Sequence, residues 1–239
     1  MPANVFLLTH KCGNHFIEDI FNSDNSKTQG YVSLKKAGFD ADRESFYNVR
    51  CRNFSKEQTK RTVDLLGVEG VKYFLFTRHP ASFFKSATTY HLRGNERWSR
   101  TKEFNHLGGK TLYESLHNCD SFGEQLVVSM KHFGVKNRFI NYWIENLKYL
   151  KNIGADYSQI KCEDVWKDLN AVKEFHKAIV HSGFSVDFEQ VLRASPIGMA
   201  DLKRHSTGQF QKKPFDDYDD LAKGFYDKNF KNLERSLNY

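Results

Sequence analysis

At 239 residues the chain suffices for one substantial domain with its own core, and 21 Phe and 11 Tyr supply bulky apolar material for it. Its four cysteines (Cys12, Cys51, Cys119, Cys162) lie far apart without a CxxC pair, which argues against zinc or a disulfide framework and for a reduced, cytoplasmic setting. The net charge of +7 suits a polyanionic ligand and serves solubility equally well, but no basic run of five or more residues speaks for nucleic acid.

The opening stretch VFLLTHKCGNHFIEDIF, residues 5–21, has three parts. An apolar strand over 4–9 leads to a small polar turn holding Lys11 and Gly13. A helix over 14–21 follows, with Phe16, Ile17, Ile20 and Phe21 on one face. NSDNSKTQG reads as a loop. Residues 45–54 predict a second strand, and Ser55 caps a helix through SKEQTKRTVDLL with Glu57 in its first turn. VKYFLFTR, residues 71–78, is a nearly continuous apolar run, as expected of a strand covered on both faces. Pro80 suits the first position of a helix through ASFFKSATTYH. From about 92 to 120 the chain is polar and irregular, with Gly94, Gly108 and Gly109, and reads as a mobile lid or acceptor-binding segment. FGEQLVVSMKHF and NRFINYWIENLKYL predict helices. YSQIKCED predicts a short late strand before a helix to about Val180, and the tail an acidic turn and a terminal helix. No repeat and no linker appears, so one domain over 1–239 is expected. Strands alternating with helices make it α/β, with a parallel central sheet flanked by helices.

In such a sheet, ligands gather beyond the carboxyl ends of the strands, where helices begin. The turn at 10–15 lies at such a place. A helix N-terminus offers backbone N–H groups and partial positive charge, Lys11 adds a full charge, and Gly13 permits close backbone approach. Asn14 and His15 are both able to donate to a phosphate oxygen. A purely structural turn would read the same way. The turn is P-loop-like without being a Walker loop, because Lys11 precedes its glycine. Arg78 at a strand end and Ser86 on the second turn of the next helix suit one phosphate. LKRHSTGQFQKKPF adds Lys203 and Arg204 near Gly208, with Lys212 and Lys213 beyond. Three separated segments, each with a cation and a small donor, suggest a ligand with more than one phosphate group.

Together these blocks resemble the sulfotransferase family, which uses 3′-phosphoadenosine 5′-phosphosulfate (PAPS) as sulfuryl donor and releases adenosine 3′,5′-bisphosphate (PAP). HKCGNHF is similar to the family's PKSGTTW loop, and Arg78 with Ser86 to its second block. YHLRGNERW looks like a Tyr-His…Glu…Trp stretch of some members, IKCEDVWKD like the YEDL segment, and KRHSTGQFQKKPF like RKGxxGxWxxxF. NLERSLNY is similar to the Leu-rich end that closes on Gly-Tyr. The blocks keep the family's order from residue 5 to 239. The resemblance implies a sulfotransferase fold, with Lys11, Gly13, Asn14 and His15 at the 5′ phosphosulfate. It puts Arg78, Ser86, Lys203 and Arg204 at the 3′-phosphate, and gives Lys11 the charge on the bridging oxygen. There are departures. Asn14 and His15 replace two threonines, His205 a glycine, Phe210 a tryptophan, and Cys162 the tyrosine of YEDL, which puts an adenine contact there in doubt. Where many members carry a catalytic His, VRCRNFS offers Arg50, Arg52 and Asn53, and Arg is no base at neutral pH. His91 is the candidate substitute, with Glu96, Asp42 and Glu44 behind it.

The activity expected is sulfuryl transfer from PAPS to a hydroxyl or amine of a small-molecule, lipid or glycan acceptor. The ten histidines show no HExxH or paired spacing, so no metal is expected. No basic-then-apolar leader opens the sequence and no apolar stretch reaches spanning length, so neither a signal peptide nor a membrane anchor is expected. Glu163 and Asp164 read as helix-start residues, Phe83 and Phe84 as core, and Trp98 as packing or part of an acceptor pocket. Two other readings stay open. A kinase-like P-loop phosphotransferase needs an acidic metal residue after a strand, which VKYFLFTR lacks. A non-catalytic polyanion-binding or degenerate transferase domain is kept in play by the missing strand-end His, and predicts steep salt dependence or donor binding without turnover.

Overall fold

The computed structural model describes residues 3–9, 11–21, 31–33, 47–52, 55–184, 186–198 and 213–239. In chain order the first elements are β1 (Ala3–Leu8), α1 (Asn14–Phe21), β2 (Tyr31–Ser33), β3 (Tyr47–Arg52), α2 (Lys56–Leu66) and β4 (Val71–Thr77). Then come α3 (Pro80–Leu92), α4 (Arg97–Thr101), β5 (Glu103–Phe104), β6 (Lys110–Thr111), α5 (Leu112–His117) and α6 (Phe122–Ser129), which runs into a π-helical turn, Met130–Lys136. The rest are α7 (Phe139–Asn152), β7 (Asp156–Lys161), α8 (Cys162–Val165), α9 (Leu169–His181), α10 (Phe188–Ala194), α11 (Asp220–Asn229) and α12 (Lys231–Ser236). These elements group into two compact units, one within 1–78 and 145–205, the other within 79–144 and 206–239.

The first unit is built on a five-stranded sheet of order β2-β3-β1-β4-β7, in which every pairing is parallel. The strands β1 and β4 lie inside it, and their apolar runs are buried on both faces, from Val5 to Leu8 and from Tyr73 to Phe76. That is why neither sequence alternates. On one face Val5, Leu7, Tyr73 and Leu75 pack with Val63 and Leu66 of α2 and with Leu150 of α7. On the other, Phe6 stacks on Phe74 at 5.0 Å between ring centroids, and Phe76 and Phe16 meet Phe175 of α9 at 6.0 and 5.4 Å. The helix α2 starts at Ser55 through a capping box whose partner is Gln58.

The second unit centres on α3, whose Phe83 and Phe84 are fully buried. Phe83 meets Trp143 at 5.5 Å and Phe84 meets Phe230 at 4.8 Å. Lys85 is also fully buried, and its Nζ donates to the Lys213 carbonyl at 3.0 Å and lies 3.2 Å from Asp217 Oδ2. A buried ammonium must be paired in this way, so the segment after 213 is tied to α3. His79 caps α3: its Nδ1 accepts from the Ala81 N–H at 3.2 Å, which leaves the neutral ring's proton on Nε2, 3.7 Å from Glu234 Oε2.

Several elements differ from the sequence expectation. The stretch 92–120 carries regular structure: α4, the antiparallel pair β5–β6 around a 3-10 turn at Asn105–Leu107, and α5 with its Thr111/Glu114 capping box. Its glycines are the turn residues between these short pieces, at φ +62, +68 and +77 for Gly94, Gly108 and Gly109. The strand β2 and the helix α10 were not expected. No helix among the described residues is long and apolar enough to cross a membrane.

Gly134 gives a direct check on the packing of the second unit. A Cβ there would lie 2.4 Å from the Phe230 ring and 2.8 Å from that of Phe84. Gly134→Ala is expected to destabilise by roughly 1–3 kcal/mol through overpacking. In thermal denaturation this is a fall of roughly 2–4 °C per kcal/mol for a chain of this size.

Candidate functional site

Parallel pairing in register brings the carboxyl ends of β1 and β4 side by side, with Leu7 opposite Leu75, and sets Thr77 of β4 opposite Lys161 of β7. Three segments of the first unit therefore leave the sheet at the carboxyl ends of its strands: the turn before α1, Arg78 after β4, and α8.

The turn after β1 is tight. The Cys12 N–H donates to the Thr9 carbonyl at 3.2 Å, and the Ile17 N–H closes the first helical bond onto the Gly13 carbonyl at 2.9 Å. Gly13 has φ +72, and a Cβ on it would come within 3.1 Å of Phe76 Cδ1. Glycine is thus required there twice, by conformation and by the ring beneath. Lys11 has φ +60 without being glycine. That conformation costs about 1–2 kcal/mol for a residue with a Cβ. Asn14 is the first residue of α1, and His15 is exposed with its Nδ1 3.6 Å from Glu18 Oε2.

Arg78 follows β4 and is 6% exposed. Its Nη1 donates to the Lys11 carbonyl at 3.2 Å, and its Nε lies 3.6 Å from Glu163 Oε1 at the start of α8. The turn and α8 meet a second time through their thiols. Cys162 is fully buried and hydrogen-bonded to Cys12; burial first, and then that bond, push the Cys162 thiol well above its ordinary pKa. A thiol so enclosed has no face left for an adenine ring.

Of the nine residues singled out from the sequence, the first unit brings together Lys11, Gly13, Asn14, His15 and Arg78. Ser86 is buried in α3 of the second unit, as is His91. Lys203 and Arg204 lie outside the described residues, as do Asp42, Glu44, His205, Gly208, Phe210 and Lys212. His91 has no exposed surface. Its ring stacks on Phe133 at 5.2 Å and meets Trp98 at 5.0 Å, and its Nε2 lies 3.9 Å from Glu96 Oε2. A general base must reach its substrate, and in this structure the His91 ring is enclosed by these contacts.

Two groups went unrecognised in the sequence. Glu163 was read as a local helix-start residue and is the charge partner of Arg78. His132 is buried and shares a 3.0 Å hydrogen bond with the exposed His106, inside rings of Trp98, Phe104 and Phe133. Among the described residues no group of three or more His, Cys, Asp or Glu is placed to hold a metal.

The first-unit arrangement suits an anion. A helix N-terminus, a glycine required by its positive φ and by the Phe76 ring beneath it, and a lysine meet at one turn. A scan of family models finds none that matches, and a comparison with curated protein sequences finds none either. Among solved structures the chain is similar to mouse sulfotransferase SULT7A1 complexed with PAP. The TM-score is 0.51 at 13% identity, over 98% of this chain and 88% of that one. At that identity the likeness shows the fold alone: this is an α/β chain with the sulfotransferase-like fold, a parallel sheet flanked by helices.

The buried imidazole generates a test in acid. Desolvation, then the neighbouring His106 and Lys102, lower the pKa of His132 to about 4. The unfolded chain therefore binds a proton near pH 6.5 that the folded chain refuses until about pH 4. Its contribution to stability is intact above pH 6.5 and falls by about 3 kcal/mol as pH drops to 4. Burial lowers His79 and His106 in the same direction. Urea denaturation at stepped pH should show stability falling over this window, with a shallower fall in His132→Phe. An equal slope in the variant would refute the assignment.

Proposed function

We propose that the chain is a sulfotransferase that moves a sulfuryl group from PAPS to a hydroxyl or amine of a small-molecule, lipid or glycan acceptor, with 1–239 working as one domain. The observation that carries this reading is the turn at Lys11–Gly13, at the carboxyl end of an inner parallel strand and opening on α1. Two further observations support it: the likeness of fold to a protein solved with PAP, and the order of the sequence blocks.

In this reading Lys11, Gly13, Asn14 and His15 hold the 5′ end of the nucleotide, and Arg78, Ser86, Lys203 and Arg204 its 3′-phosphate. The nucleotide supplies the sulfuryl group. Lys11 stabilises the charge that gathers on the bridging oxygen, and the backbone of the turn fixes the donor for attack. Transfer of this kind needs positioning and charge stabilisation more than covalent help. The free thiols Cys12, Cys119 and Cys162 support a cytoplasmic setting.

His91 serves as base here only if the packing of Tyr90, Trp98 and Phe133 around it opens. That enclosure favours a second reading, a degenerate transferase that binds the donor without turning it over.

Thermal-shift titration with PAP, set against magnesium-ATP and inorganic sulfate, tests the donor site. At a hundred times its dissociation constant PAP should stabilise by about 2.7 kcal/mol, or roughly 5–10 °C for a chain this long. Lys11→Met should remove most of that shift while leaving the unliganded melting temperature unchanged. A larger shift with magnesium-ATP, or none with PAP, would sink the proposal. Turnover of PAPS across an acceptor panel then separates the active from the degenerate reading.

A further inference from the structure

The left-handed conformation of Lys11 persists only where its surroundings over-determine it. Among the described residues, contacts reach the turn from the far side of β4 that come from or through the start of α8. One is the thiol pair Cys12–Cys162. The other runs from the Lys11 carbonyl through Arg78 to Glu163. Arg78 is nearly enclosed and keeps its charge at any working pH. Its Nε has no hydrogen bond among the described residues and faces the Glu163 carboxylate across 3.6 Å. A guanidinium so placed is oriented by charge on one side and by a single carbonyl on the other.

We propose that Glu163 is a positioning residue for the anion turn: its carboxylate holds the Arg78 guanidinium against the Lys11 carbonyl, and so holds the backbone of residues 11–14 in its anion-binding arrangement. Arg78 is then a brace whether or not it also meets a phosphate. The side chain of Glu163 is about 30% exposed, so it reaches this role from the rim of the sheet edge. Its neighbour Asp164 is exposed and carries the same charge one residue further on. Asp164 therefore supplies an internal control for loss of negative charge. The proposal rests on the donor reading for the identity of the anion alone.

The test uses the full chain as wild type, Glu163→Gln, Glu163→Asp and Asp164→Asn, with two readouts: amide hydrogen exchange over residues 9–16, and affinity for PAP by calorimetry. Glu163→Gln keeps the shape and removes the charge. It should exchange the amides of 9–16 faster and bind PAP about tenfold more weakly, the equivalent of 1.4 kcal/mol. Glu163→Asp should recover part of both, and Asp164→Asn should match wild type in both. If Glu163→Gln matches wild type in exchange and affinity, the positioning role is overturned. It is equally overturned if exchange rises uniformly through β1, β4 and β7, because the carboxylate would then be contributing general stability. If wild type fails to bind PAP while Glu163→Gln still loosens 9–16 selectively, the donor reading falls and the brace stands.

Discussion

The charge of Arg78 has nowhere to go. It sits at the carboxyl end of β4, beside the end of β1 and just beyond the pairing of β4 with β7, and only 6% of the residue reaches solvent. Taking a guanidinium out of water costs several kcal/mol unless partners replace the lost hydration. The parallel register supplies two. The turn after β1 offers a carbonyl, and the residue after Cys162 offers a carboxylate. The local geometry follows from that requirement. The Lys11 carbonyl must face Arg78, Lys11 takes a left-handed conformation, and Gly13 recovers the chain direction over Phe76 so that α1 can start.

This explains which parts of the molecule were readable in the sequence. The strands β1 and β4 announce themselves because strands buried on both faces need unbroken apolar runs, and VFLL and VKYFLF are such runs. The helix α3 follows from Pro80 after a strand, and the turn before α1 from a glycine between strand and helix. The strand β2 spans only three residues, too few for any period to show. The helix α10 did carry a signal, since Asp187 and Gln190 form a capping box, but the short apolar pattern behind it went unread. The stretch 92–120 reads as irregular because its three glycines punctuate elements of only two to six residues, too short for a period to show.

The side chains show the same division between local and distant information. Lys11, Gly13 and Arg78 could be placed from the sequence because each lies just beyond the end of a strand. Glu163 was read as a helix-start residue, its local meaning, and its distant partner became visible only when β4 and β7 were seen to pair. His91 was a reasonable base by chemistry. What the sequence withheld is Phe133 lying flat against its ring and Trp98 closing the edge. Burial by residues remote in sequence is a property of the fold, and no motif reports it.

The same burial separates two kinds of positive charge in the chain. His79, His106 and His132 all have their pKa values pressed down, by desolvation before anything else, and His132 to about 4. At neutral pH they add nothing to the field that an anion would meet. The net charge of +7 already leaves histidine out, so the attraction rests on lysine and arginine, whose charge does not change between pH 5 and 8. In the second unit, acid therefore favours unfolding, because the unfolded chain binds protons that these buried imidazoles refuse.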